Sequence, residues 1–234
     1  MVQETLITDI VILTCERLGL FRRTLEHIQS RTSTPYRLCV LDDNSGYTAC
    51  LEELLREGKI GSLVSRPERM GIAVNLRTLQ DVTTSDPIVY VDDDILCPKL
   101  EPDWLERGLT EMANRPQLGL LALNNPQANI GDRRHIIRRG RIVTTCRNVG
   151  GTFLFIRRSL LGKIGPSVKY RHPVKAMCLA TARLGYDVGY LTQVYCQHIG
   201  VDSVREKRQS YEDELREVYP INSNTLEAPN GYKG

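Results

Sequence analysis

Three adjacent carboxylates, Asp92, Asp93 and Asp94, close the apolar stretch that ends in Tyr90-Val91, just ahead of Cys97-Pro98. Like charges side by side at the end of a buried strand repel one another. A divalent cation carrying a phosphorylated ligand relieves that repulsion, and this is the chemistry the spacing points to. The alternative is a solvated acidic turn, since acidic residues favour turns. Two other polar clusters end apolar runs in the same way: Thr14-Cys15-Glu16-Arg17 after Ile7 to Leu13, and Asp42-Asp43-Asn44-Ser45-Gly46 after Arg37 to Leu41.

The elements that must hold these clusters follow from periodicity. The β-branched run Ile7 to Leu13 predicts a buried parallel strand, and Leu18, Phe21, Leu25 and Ile28 recur at helical spacing behind it. A strand over Arg37 to Leu41 and a helix marked by Leu51, Leu54 and Leu55 repeat the pattern. A short strand at Ser62-Leu63-Val64, a helix from Ile72 to Val82 and a strand from Ile88 to Val91 extend it. Such alternation argues for an α/β fold with a mostly parallel sheet and helices on both faces. Ligands of these sheets sit beyond the carboxyl ends of the strands, so Thr14, Asp43 and Asp92 to Asp94 are expected to converge on one crevice. Further on, Trp104 to Met112 predicts a helix and Leu118 to Leu123 a strand. Pro126 to Arg141 predicts a polar, basic loop, and Gly150-Gly151 leads into a strand at Thr152 to Ile156. A charged helix from Ser203 to Val218 and a loose tail from Asn222 are expected last.

With 234 residues, 41% of them hydrophobic and 25% charged, the composition is that of an ordinary globular chain rather than a disordered one. A net charge of +3 names no partner by itself. The seven cysteines, at 15, 39, 50, 97, 146, 178 and 196, are scattered and lack CxxC spacing, so they read as reduced core thiols of a cytoplasmic protein. The N-terminus is acidic where a signal peptide would be basic, and no apolar run approaches the ~20 residues of a membrane span.

Taken together, Thr14-Cys15-Glu16-Arg17, Leu41-Asp42-Asp43-Asn44-Ser45 and Val91-Asp92-Asp93-Asp94 resemble the glycosyltransferases of GT-A fold, particularly glycosyltransferase family 2. Gly150-Gly151-Thr152-Phe153 looks like the family's acceptor-side strand, and Gly185-Tyr186 with Cys196 to Gly200 like its closing segment. The resemblance implies a Rossmann-like single domain over residues 1–200, with a nucleotide-sugar half (1–98), an acceptor-side half (99–200) and a charged extension (201–234). It implies a nucleotide-diphosphate-sugar donor, with Asp94 or Asp93 holding the Mn²⁺ or Mg²⁺ that bridges the two phosphates and Asp92 reaching the ribose, all three being candidate metal ligands. The triplet leaves the register open. His198 matches a position used for a further metal or phosphate contact, a buried core histidine being the alternative. Thr14 and Asp43 would meet the nucleobase, favouring uracil, with Glu16 and Arg17 beside base or ribose. Gly150 and Gly151 would border the donor. Arg66, Arg69 or Arg77 would neutralise a phosphate. Asp42 and Asn44 capping a turn is the structural alternative.

One departure bears on mechanism. Inverting members of the family carry an acidic pair where this chain reads Tyr170 to Cys178, without any acid. His172 is then the candidate general base, its ordinary pKa near ~6.5 suiting that work, with Asp132 or Asp187 as substitutes. A retaining mechanism needs no such base. For the acceptor, Arg133, Arg134, Arg138, Arg139 and Arg141 would attract an anion such as nucleic acid, a lipid phosphate or an acidic glycan, the alternative being a solvated hairpin. Two other functions stand beside transfer: a catalytically silent nucleotide-sugar binding protein, and a sugar-phosphate nucleotidyltransferase. The latter's phosphate loop lacks its glycine here.

Overall fold

Alternation along the first strand decides how the chain is layered. In β1 (Thr8–Thr14), Ile10 and Ile12 belong to one buried core and Val11 to another, as the two-residue period of a strand dictates. The computed structural model describes residues 7–125, 136–139, 142–145, 149–164 and 173–200, with the backbone path alone at 136–139 and 142–145.

The first half follows its periodicity closely. β1 is succeeded by α1 (Leu18–Arg31), β2 (Tyr36–Asp42), α2 (Thr48–Arg56), β3 (Ser62–Ser65), α3 (Ile72–Val82) and β4 (Ile88–Asp92). Then come β5 (Ile95–Leu96), α4 (Trp104–Asn114), β6 (Leu118–Asn124), β7 (Ile136–Arg139), β8 (Ile142–Thr145) and β9 (Phe153–Ile156). The last described elements are α5 (Arg158–Ile164), α6 (Pro173–Arg183), β10 (Asp187–Tyr195) and β11 (Gln197–His198). α1, α2 and α4 pack Phe21, Leu25, Ile28, Leu51, Trp104 and Met112 on one face of the sheet. α3, α5 and α6 pack Leu76, Leu79, Leu160 and Met177 on the other. Among the described residues no helix is long and apolar enough to cross a membrane.

The large sheet has the order β3-β2-β1-β4-β9-β6-β10-β8-β7. β3, β2, β1 and β4 run parallel; β9 is antiparallel to both its neighbours, which returns β6 and β10 to the direction of β4. The mostly parallel sheet with helices on both faces is therefore as expected. The stretch Pro126 to Arg141, expected as a basic loop with a solvated hairpin as the alternative, contains a strand: Ile136–Arg139 gains its hydrogen bonds from β8, as the hairpin alternative has it. Arg139 pairs with Ile142, which pairs with Leu191, which is level with Leu123 near the end of β6. The Arg138-Arg139 end of this hairpin thus lies at the carboxyl-end edge of the sheet. The expected helix at 203–218 and the tail after 222 lie outside the described residues.

Candidate functional site

Strand order turns around between β1 and β4: β2 and β3 extend one way, β9 and β6 the other. Neighbouring connections leave in opposite directions there, so a crevice opens at the carboxyl ends, the usual ligand position in such sheets. Thr14 ends β1, Asp42 ends β2 and Asp92 ends β4, which brings the three clusters to that crevice.

Asp93 turns inward and is fully buried. Its Oδ2 accepts from the Thr14 hydroxyl at 2.7 Å and from the Cys15 amide at 3.4 Å, while Oδ1 pairs with the Arg17 guanidinium. Thr14 is bonded in turn to the Tyr47 hydroxyl. Asp94, 2% exposed, offers Oδ2 to Arg17 at 2.5 Å and to His198 Nε2 at 3.2 Å. Its other oxygen, Oδ1, is buried and has no hydrogen-bond partner among the described residues. Asp92 shares a face of β4 with Tyr90 and accepts its hydroxyl proton at 2.5 Å, while the Asp92 amide donates to Thr152 O at 3.0 Å.

His198 arrives through a small second sheet. β11 pairs antiparallel with β5, setting His198 opposite Ile95, and the Ile199 amide donates to Asp94 O at 2.8 Å. Gly200 then passes so near that a Cβ there would lie 1.8 Å from Asp94 Oδ2. Only glycine lets the closing segment seat against this carboxylate.

On the far side of β1, Asp43 accepts from the Met70 and Gly71 amides at 2.8 and 2.9 Å, fastening the loop that enters α3. Asp42 accepts from the Ser45 amide and the Thr48 hydroxyl, and Asn44 takes a left-handed φ of 61°. That is the turn-capping role weighed for Asp42. Glu16, also left-handed, is exposed and meets Arg69 at 3.4 Å. Arg66 bonds Asn75 at 3.4 Å, and Arg77 is exposed on the second turn of α3. Gly150 and Gly151 are half-buried ahead of β9, and a Cβ on Gly151 would lie 2.7 Å from Val174.

The glycosyl transferase family 2 model matches residues 9–165 of the sequence. The chain belongs to glycosyl transferase family 2. Its fold is shared with the mannosyltransferase PcManGT from Pyrobaculum calidifontis in complex with GDP-Man and Mn²⁺ (TM-score 0.68, 18% identity, 86% of this chain and 59% of that one). It is shared too with GalNAc-T7 with UDP, GalNAc and Mn²⁺ (TM-score 0.65, 11% identity, 94% and 49%). A third is TarS 1-349 of S. aureus in complex with UDP-GlcNAc (TM-score 0.58, 13% identity, 84% and 60%). This chain thus spans between about half and three fifths of the length of these structural relatives. No curated protein matches the sequence.

The electrostatics of this family 2 site are strongly coupled. Burial, with the Asp94 charge adding, pushes Asp92 up to about 7 despite the Tyr90 hydrogen bond. Burial also raises Asp93, and the Arg17 charge and Thr14 hydroxyl offset this only in part. For Asp94 burial is outweighed by His198 and Arg17, which hold it below the usual carboxylate range. Burial would lower His198, but Asp94 and Asp92 hold its imidazolium above the ordinary value.

Among the described residues no three His, Cys, Asp or Glu side chains form a ready metal cage. That still suits a cation held by one or two carboxylates and completed by phosphate oxygens. The partnerless Oδ1 of buried Asp94 is a hard oxygen donor of the right kind, with Asp92 beside it. Asp93, both of whose oxygens are already engaged, serves the crevice as an anchor.

Asp187 is corrected: it pairs with Leu118 at the start of β6, so it sits at the sheet's opposite end, away from the crevice. His172, Asp132, Arg133, Arg134 and Arg141 lie outside the described residues, and of Arg138 and Arg139 only the backbone is described. Sequence reading missed the roles of Tyr47 and Tyr90, and it took Gly200 only as the end of the closing segment, without its approach to Asp94. Tyr90 had a signal, standing two residues before Asp92 on a strand; Tyr47 had none, because its partner is distant in the chain.

Proposed function

We propose that this family 2 chain is a glycosyltransferase that moves a sugar from a nucleoside-diphosphate donor, with uridine as the base. The observation that carries the reading is the buried, partnerless Oδ1 of Asp94 at the turning point of the sheet. Relatives of the same fold were captured with nucleotide sugars or nucleotides, two of the three with Mn²⁺. Asp94 with Asp92 would hold Mn²⁺ or Mg²⁺, with His198 beside them; the ion, when bound, stabilises charge on the departing diphosphate.

The chain's own residues do the remaining work. Arg17 is set to meet a phosphate, since it already answers two carboxylates at the same place. Asp43 keeps free lone pairs after its two amide bonds and can accept from a base N–H. Thr14, Glu16, Gly150 and Gly151 border the donor, and Arg77 is a second phosphate partner. His172 is the general base, taking the acceptor hydroxyl proton; full turnover by His172→Ala would remove it from that role. The acceptor is anionic, a reading supported by the position of the Arg138-Arg139 end of the hairpin at the carboxyl-end edge. A silent binding protein is the second reading, favoured by the acid-free stretch from Tyr170 to Cys178.

A panel of nucleotide sugars with and without Mn²⁺ tests the proposal. A donor that raises Tm and releases nucleoside diphosphate only with metal supports transfer chemistry. A donor that binds with no release would leave the silent binder, and no response to any uridine nucleotide would overturn the base assignment.

A further inference from the structure

The two-stranded sheet that carries His198 also sets two cysteines face to face. β11 and β5 pair Gln197 with Leu96 and His198 with Ile95, so the next pair outward is Cys196 with Cys97. Hydrogen bonds fix which kind of pair this is. The Ile199 amide donates to Asp94 O, whereas the Ile95 amide turns away to the Thr24 hydroxyl at 3.0 Å. The Cys196 amide likewise turns away, to Asn124 O at 3.0 Å, and Cys97 O accepts from Arg31 at 2.9 Å. Ladder bonds alternate along an antiparallel pair, so 94 with 199 is a hydrogen-bonded pair and 97 with 196 is not. Non-hydrogen-bonded partners have Cα atoms about 4.5 Å apart and side chains on the same face. That separation lies inside the range of roughly 4.4–6.8 Å over which two cysteines can be bridged. Both thiols sit in the same core cluster, and each is free in this structure.

We propose that Cys97 and Cys196 are a cross-linking pair that closes to a disulfide under oxidising conditions. The bond would tie the closing segment that bears His198 and Gly200 to the strand that follows the aspartate triplet. In the step, two S–H bonds break, one S–S bond forms, and two protons and two electrons pass to a low-molecular-weight disulfide, which is reduced to two thiols. In a reducing compartment the pair stays as thiols. Burial raises both thiols above their ordinary range, Cys196 to about 12, which slows attack in the closed state and makes opening of the segment the route to reaction. The inference rests on strand register, and it stands whichever ligand the crevice takes.

The test uses the full chain in two arms. In one, reduced protein is unfolded and refolded with reduced and oxidised glutathione; in the other, native protein is treated with diamide, a diazene that takes up two electrons and two protons. Free thiols are then alkylated and the digest is examined by mass spectrometry. The expected product is a peptide pair joined through Cys97 and Cys196, lighter by two hydrogens. The oxidised chain should melt higher than the reduced one by roughly 5–15 °C, because the bond closes a long loop. Cys97→Ser and Cys196→Ser should each lack both the linked peptide and the rise. Singly alkylated Cys97 and Cys196 in both arms, or preferential pairing of either with another cysteine, would overturn the proposal.

Discussion

The aspartate triplet separates into three roles once its neighbours are counted. Asp93 anchors, held by Thr14 across 79 residues of sequence, Asp94 keeps an oxygen free, and Asp92 is tied to Tyr90. The triplet was legible in the sequence as an acidic cluster at the crevice, but the division of labour within it was not, because Thr14 and Arg17 decide which carboxylate turns inward. Asp94→Asn should slow metal-dependent release of nucleoside diphosphate by about 100-fold or more, the loss typical of removing one group that stabilises developing charge. Gly200→Ala should act in the same direction, since its Cβ would lie 1.8 Å from Asp94 Oδ2, and steady-state kinetics with the identified donor checks both. Asp93→Ala should instead appear in denaturant unfolding, at about 1–3 kcal/mol, as it strands buried donors on Thr14 and Cys15.

At the scale of elements, α4 shows how one carboxylate joins distant segments. Asp103 caps the helix through the Leu105 and Glu106 amides, and its second oxygen gathers the amides and hydroxyls of Ser33 and Thr34. Asp103→Ala should cost about 2–4 kcal/mol in urea unfolding, a lost cap plus unsatisfied buried donors. Asp9 does the same at the foot of the sheet, accepting from the Thr84 and Ser85 amides and from Arg37. Burial would raise both acids, but these hydrogen bonds hold each below its ordinary value. Folded-state pKa values below the unfolded ones mean that the stabilisation is complete above about pH 4 and is lost as pH falls through the folded values. Thermal melts from pH 6 downward should therefore show Tm falling below about pH 4, less steeply in Asp9→Asn. α4 also packs Gly108 on Phe155, where an added Cβ would lie 2.1 Å from the ring. Gly108→Ala should lower stability by about 1–3 kcal/mol, because the ring is wedged against Trp104 and Phe153. The strong period of the first half made its strands legible to within a residue, whereas α1 and α2 run three residues beyond the apolar positions that mark them. β5 and β11 were not, because two residues have no period; their pairing is a tertiary fact.

For the whole molecule, the parallel sheet and its crevice were legible from strand and helix alternation alone. The antiparallel direction of β9 was not, since strand direction depends on how the chain returns rather than on residue type, and the terminal hairpin was weighed only as the alternative to a basic loop. The hairpin's carboxyl-end position bears on what approaches the crevice from that edge. If the acceptor is a polyanion, its affinity should fall steeply with ionic strength, with a log–log slope that shallows when Arg138 and Arg139 are both changed to alanine. A salt-independent acceptor KM would count against that reading.

Arg17 and His198 already act as resident counter-ions to the crevice. A bare cation entering it must compete with both of them, whereas one delivered on a diphosphate offers Arg17 a replacement anion at the moment of exchange. Manganese alone should therefore leave Tm nearly unmoved, uridine diphosphate alone should raise it modestly, and the two together should raise it by more than the sum. A large shift from the metal by itself would mean that the swap is not coupled.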